Sequence, residues 1–137
     1  MSDNNPQTTS LSLSEKALFD IASFPVLDIA VGLKNMHADT ALFTDIVKTM
    51  LEKDLPLEKR AYKQAYAEKD WETLEKLVHK MKGGSIYTGL VQLQHACDYF
   101  EVYYQSGQKP LLEKLYQQIM HTIDRSQQAL QTWLEAS

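Results

Sequence analysis

The chain has 137 residues, which suits one domain rather than two. Apolar residues make up 44% and charged residues 23%, so the composition excludes a disordered or fibrous protein. The 14 basic and 18 acidic side chains give a net charge of −4, which argues against nucleic acid or an anionic membrane as the main partner. The single cysteine, Cys97, excludes an internal disulfide and a multi-cysteine zinc site.

The sequence shows no pattern for membrane insertion or export. No apolar run approaches the length of a membrane-spanning helix. Residues 1–10 are polar and lack the basic-then-apolar pattern of a signal peptide. We therefore expect a location in the cytoplasm. Because Met1 is followed by a polar stretch, we expect a self-contained gene product, with a piece of a longer protein as the alternative.

The beginning of the chain predicts a tail followed by short helices. Residues 1–13 are rich in Ser, Thr and Asn, so we expect a flexible polar tail there. Two short helices are predicted over about 14–22 and 28–37, with Ser14 and Asp28 as their N-caps. We expect both short helices to pack against the longer helices that follow them in the chain.

Four longer segments carry apolar residues at helical spacing. They begin at Asp39, at Asp70, near Leu90 and at Pro110, which is predicted to occupy the N1 position. Pro56 should kink or break the first segment near Leu55, and Gly89 should end the second. We therefore predict an all-α domain over residues 14–137, an antiparallel four-helix bundle with one or two short N-terminal helices packed on it.

The helix predicted from Trp71 to about Tyr87 has an unusual polar face. On a helical wheel, His79 lies at the centre of that face, and the apolar residues lie on the opposite arc. The glycines at 83 and 84 together cost about 2 kcal/mol of helix propensity relative to alanine, which suggests close approach of another molecule. Ile86 could give that molecule an apolar contact, and Lys82 a cation for an anionic group. A solvated histidine beside glycines that serve helix packing is the alternative.

The residues from His79 onward resemble a known family. They read HKMKGGSIYTG and are followed by Leu93, Cys97 and the pair Phe100 and Glu101. This pattern is similar to the signature of the histidine phosphotransfer (HPt) domain family of multistep phosphorelays. The similarity runs from about Pro25 to the end, and the chain looks most like the C-terminal HPt modules of hybrid sensor histidine kinases.

The resemblance implies a phosphoryl carrier rather than an enzyme. It implies that His79 accepts the phosphoryl group at Nε2 and that Lys82 balances the negative charge of that group. It also implies that Glu101 forms a hydrogen bond with the other ring nitrogen. It also implies a partner-binding surface formed by Glu75, Lys76, Gly83, Gly84 and Ile86. The implied partners are response-regulator receiver domains and a hybrid histidine kinase. Mg²⁺ is expected on the receiver and no cofactor on this chain, which lacks a P-loop and a Gly-rich ATP lid.

Other functions find less support in the residues. The histidines at 37, 79, 95 and 121 are scattered, with no pair at i, i+4 beside a carboxylate, so no metal site is predicted. Cys97 is predicted to be a small buried residue, and His95 and His121 to lie on the surface. The remaining alternative is an HPt-like scaffold that binds signalling proteins without phosphoryl transfer.

Overall fold

The computed structural model describes residues 14–137, and every regular element in that part of the chain is helical. The predicted tail over residues 1–13 lies outside the described residues. The elements are α1 (Glu15–Leu18), α2 (Ile29–Asn35), α3 (Thr40–Thr49), the π-helical turn π1 (Met50–Asp54), α4 (Leu55–Ala67), α5 (Trp71–Thr88), α6 (Val91–Gln105) and α7 (Leu112–Ala136). The predicted all-α fold class is confirmed.

The long helices form a four-helix bundle. Its first member comprises α3, π1 and α4, and each later helix packs against the one before it. Helix α7 also packs against α3 and α4, which closes the bundle, and the short connections make successive helices antiparallel. Helix α2 lies against α3 and α5, and α1 lies against α6. The largest buried side chains of the core include Met36, Phe43, Tyr62 and Phe100.

Pro56 was predicted to kink or break the first long helix, and the structure shows an irregular turn before it but no break. The backbone N–H of Leu55 donates to the carbonyl oxygen of Met50, five residues earlier, and the helix continues through Pro56. In a regular α-helix, the proline ring would clash with the carbonyl four residues before it. The wider π-helical turn relieves this clash, so α3 and α4 stay continuous and both contribute to the core.

The predicted N-caps Ser14, Asp28 and Asp70 are confirmed, whereas some helix ends differ. Each accepts a hydrogen bond from the backbone N–H three residues later, and so does Asp39 at the start of α3. The first short helix ends at Leu18 rather than near residue 22. The second ends at Asn35, because the next turn requires positive φ angles of 54° at His37 and 61° at Ala38.

Pro110 is not the N1 residue of the last helix, which begins two positions later at Leu112. Pro110 lies in the turn, and the N–H of Leu111 donates to the Tyr103 hydroxyl over 2.9 Å. The start of α7 is therefore fixed by a side chain of α6. No local sequence signal marks this capping contact, which is why the predicted helix start was wrong.

Polar contacts hold α2 beside the C-terminal end of α5. The Asn35 amide donates to the carbonyl oxygens of Ile86, over 3.3 Å, and Tyr87, over 2.9 Å. The N–H of Asp28 donates to the carbonyl oxygen of Gly89 over 2.8 Å. These bonds satisfy carbonyl groups that a helix end otherwise leaves unpaired. They also place α2 next to the backbone of residues 86–89.

We expect Gly32→Ala to destabilise the fold by about 1 to 3 kcal/mol, because α2 is packed too closely for a methyl group. A Cβ atom at Gly32 would collide with the Phe43 ring and lie 2.7 Å from the carbonyl oxygen of Thr88. Urea unfolding of both proteins measures the free energy difference.

The matched control is Gly84→Ala, since a Cβ atom at this helical glycine meets nothing within 4 Å. Alanine should raise the free energy of unfolding by about 1 kcal/mol there, through helix propensity alone. Equal effects of the two substitutions would contradict the packing argument.

Candidate functional site

Helix α5 presents its polar face to solvent. Its N-terminus is capped by Asp70, which accepts the N–H of Thr73 over 3.1 Å and the Thr73 hydroxyl proton over 2.7 Å. Its C-terminus ends at Gly89, whose φ of 85° is left-handed and therefore suits glycine. The buried face carries Leu74, Val78, Met81 and Ser85. His79 lies on the opposite face, and its side chain is 70% exposed.

One edge of the His79 ring is held by a buried carboxylate. Nδ1 of His79 lies 2.7 Å from Oε2 of Glu101, which projects from α6 and has a side chain only 4% exposed. A carboxylate can only accept, so the neutral imidazole must carry its proton on Nδ1. The lone pair is then on Nε2, on the exposed part of the ring.

Lys82 forms an ion pair with the same carboxylate. Its Nζ lies 2.6 Å from Oε1 of Glu101 and 3.3 Å from Oδ1 of Asp98. The contact with Glu101 raises the pKa of Lys82 above its usual value, partial burial opposes the shift, and Asp98 adds to it. Lys82 is therefore an ammonium throughout the physiological pH range, one helical turn from His79.

Asp98 is a member of this cluster that the sequence analysis missed. It precedes Glu101 by three residues on α6, so the two carboxylates lie one turn apart on the same side of the helix. That spacing is visible in the sequence, but only the register between α5 and α6 shows that both carboxylates reach Lys82. The four side chains form a chain of contacts from Asp98 through Lys82 and Glu101 to His79.

The predicted partner-binding residues are spread along the same helix. Glu75 is half-buried and accepts a hydrogen bond from the Gln105 amide over 3.1 Å, whereas Lys76 is exposed. Gly83 is exposed with open space where a side chain would be, and Ile86 is 45% exposed. Gly84 is also exposed and open, but it lines a cavity on the side of α5 that faces α4.

Other residues considered from the sequence lie apart from this cluster. The Cys97 thiol is fully buried, and burial above all raises its pKa well above the usual value, as expected of a packing residue. His121 is exposed as predicted, whereas His95 is half-buried and stacks on Phe24 with 3.7 Å between ring centroids. Within residues 14–137, no three His, Cys, Asp or Glu side chains are grouped closely enough to hold a metal ion.

Comparison with known proteins identifies a family. The model of the Hpt domain matches residues 46–135, which is more than half of the chain and includes α4 to α6 completely. No curated protein and no solved structure gave a significant match. Among the described residues, no helix combines the length and apolar character needed to cross a membrane.

The contact between His79 and Glu101 predicts the tautomer of the imidazole. At a pH where the ring is neutral, we expect the proton on Nδ1 to be the major form, since Glu101 accepts only from that nitrogen. Ring ¹⁵N chemical shifts of the labelled protein distinguish the two tautomers. In Glu101→Ala the preference should shift toward a proton on Nε2.

His121 is the internal control, because its exposed ring has no Glu101 partner and should keep the same tautomer mixture in both proteins. A wild-type His79 ring protonated mainly on Nε2 would contradict the prediction.

Proposed function

The chain belongs to the Hpt domain family, whose members carry phosphoryl groups in phosphorelays without kinase activity of their own, and we propose that His79 is its phosphoacceptor. The observation that supports this assignment most directly is the exposed imidazole whose Nδ1 contacts a buried carboxylate. Such a ring presents an unprotonated Nε2 to an approaching molecule, which is the arrangement that a nitrogen nucleophile requires.

The chemical step follows from this arrangement. Nε2 of His79 attacks the phosphorus of an aspartyl phosphate on a receiver domain, and a phosphorus–nitrogen bond forms. The phosphorus–oxygen bond to the aspartate breaks, and its electron pair stays on the carboxylate oxygen. The Nδ1 proton remains on the ring, so the ring becomes positive. Glu101, 2.7 Å from Nδ1, stabilises that charge.

Lys82 supplies positive charge for the phosphoryl oxygens. Its side chain is only 25% exposed and its ammonium is held by two carboxylates, so its position is constrained before the phosphoryl group arrives. A constrained cation costs little reorganisation when charge moves toward it. We propose that Asp98 keeps Lys82 in place when the ammonium turns from Glu101 toward the phosphoryl group.

The partner supplies the rest of the reaction. We propose that a receiver domain brings the aspartate and Mg²⁺, and that a hybrid histidine kinase lies upstream, so this chain needs no ATP site. The receiver would approach over Gly83, which leaves open space near His79, and contact Ile86. Glu75 and Lys76 extend the same surface and could select among receivers by charge. The cytoplasmic location stays a prediction.

The proposal predicts an acid-labile phosphoryl group on one residue. Incubation with several phosphorylated receivers and with the small donor phosphoramidate should raise the intact mass by one phosphoryl group, which is lost in acid. His79→Gln should abolish the modification. His121→Gln, which changes an exposed histidine of α7 in the same way, should leave it intact.

Modification of both variants would exclude His79 as the acceptor. If every donor fails while the bundle stays folded, the scaffold function is favoured instead. Retention of all biological output by His79→Gln would support the same conclusion.

The lysine should affect the rate rather than the site of transfer. We expect Lys82→Ala to slow transfer about 100-fold, because a positioned cation is removed from the developing charge. Asp98→Asn should have a smaller effect, since Lys82 keeps its contact with Glu101. Rapid-quench measurement of transfer from a phosphorylated receiver gives both rates. If the two substitutions lower the transfer rate equally, Lys82 acts only through its ion pair with the carboxylates and not through direct contact with the phosphoryl group.

Partner binding and chemistry should be separable at Ile86. We expect Ile86→Asp to weaken receiver binding about 10-fold or more, because a charge replaces an apolar contact. Phosphorylation by phosphoramidate, which needs no docking surface, should be unchanged. Leu57→Asp is the control, as Leu57 is 47% exposed and lies outside the predicted surface. Equal effects of the two variants on receiver binding would exclude Ile86 from the docking surface.

A further inference from the structure

A groove of about 650 Å³ lies between residues 19–22 and α7, and we call it the basic groove. Helix α7 contributes the cationic side chains of Lys114 and Arg125 to its lining, and α6 contributes Gln92. The described residues that line the groove include none from α5. A different part of the bundle therefore forms this groove than forms the surface on which we propose that a receiver domain docks.

The charge of the basic groove is opposite in sign to that of the whole chain, which is −4. Lys114 and Arg125 give the groove a formal charge of +2 with the His121 ring neutral, and no acidic side chain of residues 14–137 lines it. Glu15 lies 3.5 Å from Nζ of Lys114, but both side chains are more than half exposed, so this ion pair is weak. The groove therefore favours an anionic ligand, for which Lys114 can exchange its partner.

Arg125 is exposed, yet buried groups hold its guanidinium in place. Nε donates to Oε1 of Gln92 over 2.8 Å, and Nη2 donates to the hydroxyl oxygen of Thr122 over 3.0 Å. Gln92 is 5% exposed and Thr122 is fully buried, so both acceptors have fixed positions. The guanidinium keeps further N–H groups for a carboxylate, and a side chain that is already ordered loses less entropy when it binds one.

The rest of the lining suits a peptide. Phe19 is half-buried and Ala22 is exposed, so both offer apolar surface that a ligand can reach. The amide of Gln118 donates to the carbonyl oxygen of Leu18 over 3.0 Å, which leaves its own oxygen as an acceptor. A peptide brings apolar side chains for the first feature and backbone N–H groups for the second.

The spacing of the two cations matches an extended chain. Lys114 precedes Arg125 by 11 residues on α7, so both project from the same side of the helix, about 16 Å apart along its axis. An extended peptide advances about 3.3 Å per residue, so acidic side chains five residues apart reach both cations, whereas one small anion does not. An anionic membrane or a nucleic acid duplex is a wider negative surface, which the net charge of this chain repels.

We propose that the basic groove binds an extended acidic peptide segment of a partner protein. Carboxylates of the segment would pair with Arg125 and Lys114, and an apolar side chain between them would pack on Phe19. Neither the family assignment nor the phosphoacceptor role of His79 requires this groove, so the two proposals can fail independently.

The test uses the whole ¹⁵N-labelled chain and the capped peptide Glu-Glu-Phe-Ala-Glu-Glu as the probe. Titration should shift the backbone amide signals of Ala22, Gln92, Gln118 and Arg125 in a saturable way and leave that of His79 unchanged. The neutral peptide Gln-Gln-Phe-Ala-Gln-Gln should bind about 10-fold more weakly or worse, because it supplies no charge-assisted hydrogen bond. This comparison requires no mutation, so it does not depend on the folding of a variant.

Equal affinity for the acidic and neutral peptides would overturn the proposal, as would the absence of saturable shifts at the groove. Shifts centred on α5 would also overturn it, since the peptide would then bind at the phosphoacceptor surface. If inorganic phosphate gives the same shifts with the same affinity as the acidic peptide, the groove binds small anions and the peptide proposal is wrong.

Three substitutions locate the contacts. Arg125→Gln should weaken binding of the acidic peptide about 10-fold or more, since a charged and positioned donor is lost. Lys114→Gln should weaken it about 3- to 5-fold, and this exposed side chain can be replaced without disturbing the core. Lys48→Gln is the matched control, because it makes the same change of net charge at an exposed residue of α3 outside the groove. Equal affinities of Lys114→Gln and Lys48→Gln would contradict the proposed pairing.

Discussion

The structure of the site depends on the buried carboxylate of Glu101. Burial of an ionised carboxylate is tolerated only when its oxygens are paired, and here Oε2 faces His79 while Oε1 faces Lys82. Both partners belong to α5 and are three residues apart, whereas Glu101 belongs to α6. Glu101 thus links the orientation of the imidazole to the register of α6 against α5. A shift of one helix along the other would leave the carboxylate unpaired.

The same pairing determines how charge would be distributed before and after the transfer that we propose. With a neutral imidazole, the formal charges of Asp98, Lys82, Glu101 and His79 add to −1. In the proposed reaction, attack by Nε2 adds one positive charge to the ring, which brings the four side chains to zero before the phosphoryl oxygens are counted. That charge would develop 2.7 Å from Glu101, with the Lys82 ammonium one helical turn from His79. Under this proposal the cluster gains favourable interactions as the reaction proceeds, which is the requirement for electrostatic stabilisation.

The sequence predicted the local features of this arrangement better than the contacts between helices. Helix α5 has a strong N-cap, a regular apolar face and a terminal glycine, so the exposed position of His79 followed from periodicity. Asp98 was missed because its contact with Lys82 depends on the register of α6 against α5. The turn at π1 was missed for a related reason: packing of both α3 and α4 in the core favours a continuous helix over the break that Pro56 favours locally. Glu101 was found through family resemblance, and periodicity alone would not have paired it with His79.

The adjacent glycines of α5 show where the fold and the function make different demands. A Cβ atom at Gly83 or Gly84 would meet nothing within 4 Å, so neither glycine is required for packing, yet together they cost about 2 kcal/mol of helix propensity. Proteins accept such a cost at surfaces where another molecule must come close. Gly83 leaves such open space on the face of His79, where we propose that a receiver domain approaches. The proposed docking surface, rather than packing within the bundle, accounts for glycine at this position.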